Sequence, residues 1–88
     1  MRIVSGFRIR QIADEIVAVP TGEASKKLSG IVSLNEVTQF LFEELEKEHT
    51  EQSLVSALMN EYEVDQHTAE ADIKEFLDYL RSFNLLKE

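Results

Sequence analysis

The hydrophobic pattern of the chain changes its period once, at the boundary between Leu34 and Asn35. Before this boundary, apolar and β-branched residues alternate with polar ones or form short runs, as is typical of strands. After it, apolar residues recur every three or four positions, as is typical of helices. Early strands followed by later helices predict an α+β domain, because strands that alternated with helices would indicate a parallel α/β sheet.

Three short antiparallel strands are predicted before the boundary. Phe7 to Ile12 alternates apolar residues with arginines, a tight connection follows, and Glu15 to Val19 forms the second arm of a hairpin. Pro20 has no N–H to donate, so this strand ends there or continues only along a sheet edge. Lys27 to Leu34 is either one strand with a bulge at glycine or two short pieces, and Ile31 to Leu34 is its firm part.

Three helices are predicted after the boundary, each preceded by a capping residue: Asn35, Thr50 and Asp65. Asn84 suits a left-handed residue at the end of the last helix. Phe42 lies off the apolar stripe of the first helix. The expected buried residues of the three helices are Val37, Phe40, Leu41 and Leu45; Leu54, Val55, Leu58, Met59 and Tyr62; and Ala69, Ile73, Phe76, Leu77, Leu80 and Phe83. The arrangement predicts a compact, winged-helix-like α+β fold.

Length and charge limit the classes of function. Eighty-eight residues suit one domain, 1–88, with one core. The net charge is −8, divided into +2 over residues 1–34 and −10 over residues 35–88, so the helical part should repel nucleic acid. No apolar run has the length of a membrane span or a signal peptide. We therefore expect a soluble cytoplasmic protein with neither nucleic acid nor membrane as a partner.

Catalytic signatures are lacking in the sequence. There is no cysteine, no serine elbow and no glycine-rich phosphate loop, and the two histidines, His49 and His67, lie eighteen residues apart. A metal site at Glu63, Asp65 and His67 is a weaker interpretation than a helix cap at Asp65. The sequence thus predicts a protein that is not an enzyme and holds no cofactor or metal.

Three segments and their spacing resemble a known family: "GIVSLNE" at 30–36, "YEVD" at 62–65 and "AEADIKEFLDYLRSFNLL" at 69–86. The chain resembles the PqqD-like proteins, which are named for a component of pyrroloquinoline quinone biosynthesis and are grouped with RiPP recognition elements. The resemblance covers residues 7–86. One departure is Asn84, where the family often has Gly, and Asn tolerates the same backbone region.

The resemblance implies a non-catalytic adaptor that captures the leader of a ribosomally made precursor peptide. It implies that the leader adds as a strand beside the third strand, under the last helix, and that the core peptide is presented to a modifying enzyme, of the radical S-adenosylmethionine type. A strand running into a helix cap would have one edge free for such a partner. The expected peptide-binding residues are Lys27, Leu28, Ser29, Gly30, Ile31, Val32, Ser33, Thr68, Asp72, Glu75, Phe76 and Tyr79.

Each of these residues also has a structural interpretation. Phe76 lies on the apolar stripe and suits the core, whereas Tyr79 is less central. Asp72 and Glu75 suit a solvated helix face or contact with a basic leader residue. Lys27, with its neighbour Lys26, suits a charged guard on an exposed strand edge or ligand contact.

Two other functions are compatible with the predicted fold. A winged-helix DNA-binding regulator would use the last helix for recognition, but the start of that helix offers Glu70, Asp72 and Glu75 against Lys74 alone. A plain interaction module would form a homodimer through Phe42 and the open strand edge.

Overall fold

The computed structural model describes residues 1–88 as five strands and four helices. The strands are β1 (Arg2–Ile3), β2 (Phe7–Ile12), β3 (Glu15–Pro20), β4 (Val32–Leu34) and β5 (Leu86–Lys87). The helices are α1 (Gly22–Lys27), α2 (Glu36–Glu44), α3 (Glu51–Glu61) and α4 (Gln66–Ser82). The α+β architecture, with an antiparallel sheet followed by helices, is confirmed.

The main sheet has the strand order β2-β3-β4, and both pairings are antiparallel. β2 and β3 form the predicted hairpin, with Ile12 paired to Glu15 across a two-residue turn. Ala13 in that turn has φ of 55°, the left-handed conformation that such tight hairpins need. Because β3 is central, β2 and β4 are edge strands, and each has one side without a partner strand.

Three elements are not predicted from the sequence. The two-residue strands β1 and β5 pair antiparallel, Arg2 with Lys87 and Ile3 with Leu86, and form a second small sheet. The third element is α1, a helix of six residues between β3 and β4. The three predicted strands and three predicted helices are therefore all present, joined by a short helix and a terminal strand pair.

In the segment from Lys27 to Leu34, the predicted firm part is present as β4, but the residues before it do not form a strand. Lys27 is the last residue of α1, Leu28 ends that helix in an extended conformation, and the strand begins only at Val32. Gly30 has φ of +90°, a conformation that L side chains rarely adopt, so it turns the chain from the helix into β4. Lys27 is consequently not an edge guard on a strand.

The three long helices begin where their capping residues predict. Asn35 and Thr50 each accept a hydrogen bond from the backbone N–H three residues later, and each forms a reciprocal capping box. Asp65 accepts a hydrogen bond from the Thr68 N–H at 2.7 Å. Asn84, with φ of 57°, ends α4 as expected. These local signals fix the helix boundaries, and packing decides which face is buried.

The core differs from the prediction at three side chains. Phe42 is only 3% exposed, and its ring meets Phe7 edge-on at 5.4 Å and Phe76 at 5.5 Å between centroids. Phe83 is 36% exposed and contacts Tyr79 at the surface instead of joining the core. Met59 is also exposed. Phe42 thus links the sheet to α4 and is not available for a dimer interface.

Candidate functional site

An open groove of about 590 Å³ lies between the free edge of β4 and the side of α4, with α2 as its floor. It is lined by residues 31–35 on one side, by Val37, Thr38, Leu41 and Phe42 on the floor, and by Asp72, Glu75, Phe76 and Tyr79 on the other side. Because the unpaired edge of β4 opens into it, the groove combines backbone hydrogen-bonding groups with apolar walls.

In β4, the backbone N–H and carbonyl groups of every second residue point towards β3. Thr21 donates its N–H to the Gly6 carbonyl oxygen at 2.5 Å, which extends the β2–β3 ladder by one hydrogen-bonded pair. Hydrogen-bonded and non-hydrogen-bonded pairs alternate along an antiparallel ladder. The N–H and carbonyl groups of the odd-numbered residues of β3 therefore point towards β2, and those of the even-numbered residues point towards β4. Val32 and Leu34 are paired with even-numbered residues of β3, so their N–H and carbonyl groups point towards β3.

Ile31 and Ser33 therefore direct their N–H and carbonyl groups to the opposite, open side. No strand lies on that side, and none of these four groups takes part in a turn, loop or side-chain hydrogen bond. Four backbone groups are thus free at the edge of the groove. An extended chain lying there could pair with all four.

Apolar surface is exposed on both walls of the groove. Ile31 beside β4 is 56% exposed and Tyr79 on α4 is 41% exposed, whereas Phe76 is 8% exposed and lies deeper. Two large apolar side chains exposed at the border of one groove mark a surface that a partner can cover. Phe76 serves both core and groove, because its ring contacts Phe42 beneath it.

The polar rim of the groove is acidic. Asp72 and Glu75 lie about one helical turn apart on α4, and neither forms an ion pair. The lining contains no lysine, arginine or histidine. The site therefore presents two unneutralised carboxylates above an apolar floor.

The helix that carries this rim is fixed at its start by Asp65. The hydrogen bond from the Thr68 backbone N–H lowers the pKa of the Asp65 carboxyl below its ordinary value of 3.8. Tyr62, just before this cap, packs edge-on against Phe40 at 5.7 Å and donates its hydroxyl to the Glu36 carbonyl oxygen at 3.4 Å. These contacts hold the starts of α4 and α2 close together.

A family model matches most of the chain and identifies the family to which the chain belongs. The family model described as "Coenzyme PQQ synthesis protein D (PqqD)" matches residues 15–86. The chain belongs to the PqqD family. The match includes β3, β4 and all four helices, and therefore every element that lines the groove.

One solved structure is similar to this PqqD-family chain over almost its whole length. It is described as "TbiB1 in Complex with the TbiA(beta) Leader Peptide", with a TM-score of 0.71 and 28% sequence identity. The alignment covers 99% of this chain and 95% of the other. No curated protein sequence matches the chain.

Seven of the predicted site residues line the groove of the PqqD-family chain. They are Ile31, Val32, Ser33, Asp72, Glu75, Phe76 and Tyr79. The other five lie outside its lining. Lys27 donates its Nζ to the Asn84 carbonyl oxygen at 3.0 Å, Leu28 packs on the core, and Ser29, Gly30 and Thr68 are exposed.

The contribution of α2 to the groove is not predicted from the sequence. Val37, Leu41 and Phe42 form the floor, with Asn35 and Thr38 at the end nearest β4. Periodicity predicts Val37 and Leu41 as buried positions, and Phe42 lies off that stripe. Which element packs over each of these side chains is not visible in one sequence.

The structure contains neither a cluster of side chains arranged to bind a metal ion nor a helix that could span a membrane. No group of three or more histidine, aspartate or glutamate side chains is arranged to hold a metal ion. None of the four helices combines the length and apolar character that crossing a bilayer requires.

Proposed function

We propose that this protein is a non-catalytic adaptor that binds the leader segment of a ribosomally made precursor peptide. The leader adds as a fourth strand to the free edge of β4 and lies in the groove beneath α4. The observation that carries this proposal is the juxtaposition of the unpaired backbone of Ile31 and Ser33 with an apolar groove. The similarity to TbiB1, whose structure contains a leader peptide, supports the choice of ligand.

Strand pairing alone is too weak to explain useful affinity. Four backbone hydrogen bonds contribute about 4 kcal/mol at a net value of roughly 1 kcal/mol each. A micromolar complex needs about 8 kcal/mol after the cost of association has been met. Side chains of the leader must therefore fill the groove, and its floor at Val37 and Leu41 accepts apolar ones.

The remaining predicted residues lie where a longer leader would continue. Lys27 to Gly30 precede β4, so they adjoin the Ile31 end of the groove. Thr68 lies about one turn before Asp72 on α4, at the opposite end. We assign these five residues to the flanks of the binding site and the seven lining residues to its centre.

The chemistry is assigned to a separate enzyme. The groove offers apolar side chains and two carboxylates, which suit binding and orientation of a peptide. We propose that the bound leader is presented in the cytoplasm to a modifying enzyme of the radical S-adenosylmethionine type. The acidic outer surface of the helices is available for that contact.

A proline at Ser33 tests strand addition directly. Ser33→Pro removes an N–H that faces the open edge and breaks no hydrogen bond to β3, so the fold should persist. We expect affinity for the leader of a precursor encoded beside this gene to fall at least tenfold in calorimetric titration, because one strand-pairing bond and the fit of the leader to the edge are lost.

The matched control is Gln11→Pro on β2. By the same alternation, the Gln11 N–H faces the open edge of β2, so this variant places an equivalent proline on the other edge. We expect it to bind the leader like the unaltered protein. Equal loss in both variants, or no loss in Ser33→Pro, would contradict strand addition at β4.

A homodimer through the β4 edge would occupy the same backbone groups as the leader. The proposal therefore predicts that any dimer seen by light scattering dissociates when the leader is added. A dimer that persists at saturating leader must use another surface.

A further inference from the structure

We infer that the leader carries a lysine or arginine that contacts Asp72 and Glu75, placed two or four residues before a large apolar residue that packs on Tyr79. This inference rests on the proposed function and adds the chemistry and order of the residues that the groove selects.

The carboxylates of α4 fall into two groups. Outside the groove, Glu70 accepts a hydrogen bond from Gln66 at 3.1 Å, and Asp78 forms ion pairs with Lys74 and Arg81 at 3.8 and 3.5 Å. Inside the groove, Asp72 and Glu75 have no ion pair and accept no side-chain hydrogen bond.

Unpaired carboxylates also occur elsewhere on the surface, but Asp72 and Glu75 are the ones that line the groove. Neighbouring like charges on one helix face repel each other, and the repulsion is relieved by a cation bound between them. The two cations of α4, Lys74 and Arg81, are engaged with Asp78, and Arg81 also with Glu88. Because the groove lining holds two carboxylates and no cation, charge complementarity favours a cationic side chain on the molecule that occupies the groove.

The direction of α4 gives the order of residues along the bound chain. The end of α4 lies near the segment before β4, because Lys27 Nζ contacts the Asn84 carbonyl oxygen at 3.0 Å. The start of α4 lies near the start of α2, because the Tyr62 hydroxyl contacts the Glu36 carbonyl oxygen at 3.4 Å. α4 therefore runs antiparallel to β4, with Tyr79 towards the beginning of β4 and Asp72 towards its end.

A peptide added antiparallel to β4 meets these residues in a fixed sequence. Both pairings of the sheet are antiparallel, and this mode is slightly more stable per residue than the parallel one. The amino end of the peptide then lies near Asp72 and its carboxyl end near Ile31 and Tyr79. The cationic residue accordingly precedes the apolar one.

Helix and strand dimensions give the spacing. Tyr79 lies about 10 Å from Asp72 and about 6 Å from Glu75 along the helix axis, at 1.5 Å per residue. A strand advances about 3.4 Å per residue, and only every second side chain faces the same side. The same-face spacings of two and four residues correspond to about 7 and about 14 Å. The shorter one matches the distance to Glu75, and the two together bracket the distance to Asp72.

Selection from a library tests the inference without a known precursor. The probe is a phage-displayed library of random 15-residue peptides, selected on the full chain and counter-selected on Ser33→Pro to retain binders of the β4 edge. We expect enrichment of lysine or arginine two or four positions before leucine, isoleucine, phenylalanine or tyrosine.

Affinities of one selected peptide for three variants complete the test. Asp72→Asn and Glu75→Gln should each weaken binding about two- to fivefold at low salt, the range for exposed ion pairs. Glu70→Gln is the matched control, because it removes an exposed carboxylate of α4 outside the groove, and it should leave the affinity unchanged. Added salt should weaken binding to the unaltered chain more than to Asp72→Asn.

The outcomes separate this inference from the proposed function. Edge-dependent binders without enriched cations, or equal affinities for all three variants, would overturn the inference and leave strand addition intact. Enrichment of the apolar residue before the cation would overturn the proposed order of the two residues. A library that yields no edge-dependent binder would overturn both proposals.

Discussion

The Phe42 side chain contacts both the sheet and the last helix, and it also lines the groove. Its ring lies between Phe7 of β2 and Phe76 of α4, at 5.4 and 5.5 Å, and it also lies in the floor of the groove. Edge-on aromatic contacts of this kind contribute about 0.5–1.5 kcal/mol each beyond the burial of area. Stability and binding are therefore coupled at this side chain.

Truncation of Phe42 should be severe. We expect Phe42→Ala to lower the free energy of unfolding by about 3–5 kcal/mol, because it removes a buried ring and leaves a cavity. Phe83→Ala, the control for removal of an aromatic ring at a surface position, should cost less than about 1.5 kcal/mol. Urea denaturation followed by circular dichroism measures both values. Similar costs for the two variants would contradict the assigned packing.

The burial of Phe42 cannot be predicted from helix periodicity. Its neighbour Leu41 lies on the apolar stripe and Phe42 is about 100° away, which places it off the stripe. Phe7, thirty-five residues earlier in the chain, covers this second face. The reverse holds for Phe83, which fits the period but lies where α4 ends and no element covers it. Periodicity reports the direction of a side chain, not what packs against it.

Among the helices and strands, capping decides where each long helix begins. Asn35, Thr50 and Asp65 can be predicted from sequence because a cap acts over three residues. The pairing of β1 with β5 cannot be predicted, because it joins residues that are 83 and 85 positions apart. The short helix α1 cannot be predicted either, because six residues are too few to show the hydrophobic period of a helix. Local chemistry is predictable in this chain, and long-range pairing is not.

The cap at Asp65 makes the stability of α4 depend on pH in a defined direction. The folded-state pKa of Asp65 is lowered, so its contribution is present above the ordinary value of 3.8 and is lost as pH falls through the folded value. Asn can accept the same hydrogen bond and does not titrate. We therefore expect thermal stability to fall more between about pH 5 and about pH 3 in the unaltered protein than in Asp65→Asn.

Thermal unfolding monitored by circular dichroism across this range measures the difference. The other carboxylates titrate in both proteins, so their effect cancels in the comparison. Parallel pH profiles for the two proteins would show that the Asp65 carboxylate does not stabilise the helix start.

Across the complete fold, the two open sheet edges are not equivalent. The edge of β2 is longer and carries Arg8 and Arg10, both exposed, which is a common protection against strand pairing. The edge of β4 is shorter and opens into the groove, whose only charged residues are Asp72 and Glu75. The resemblance to the PqqD family predicts an open edge beside the last helix, whereas the choice between the two edges requires the strand order.

Charge on the helical surface also predicts what the molecule does not bind. The exposed start of α4 presents Glu70, Asp72 and Glu75, and residues 35–88 carry a charge of −10. We expect no shift of duplex DNA in a gel assay at about 50 mM salt, because phosphate contacts need cations on the docking helix. Tight and salt-sensitive binding of duplex would favour a winged-helix regulator instead.

Strand addition at β4 is tested most simply by amide hydrogen exchange at Ile31 and Ser33, measured with and without a bound leader peptide. We predict rapid exchange of both amides in the free protein and strong protection in the complex, with little change at Val32 and Leu34, whose amides already bond to β3. Protection of Ile31 and Ser33 in the free protein, or their continued rapid exchange at saturating peptide, would contradict strand addition.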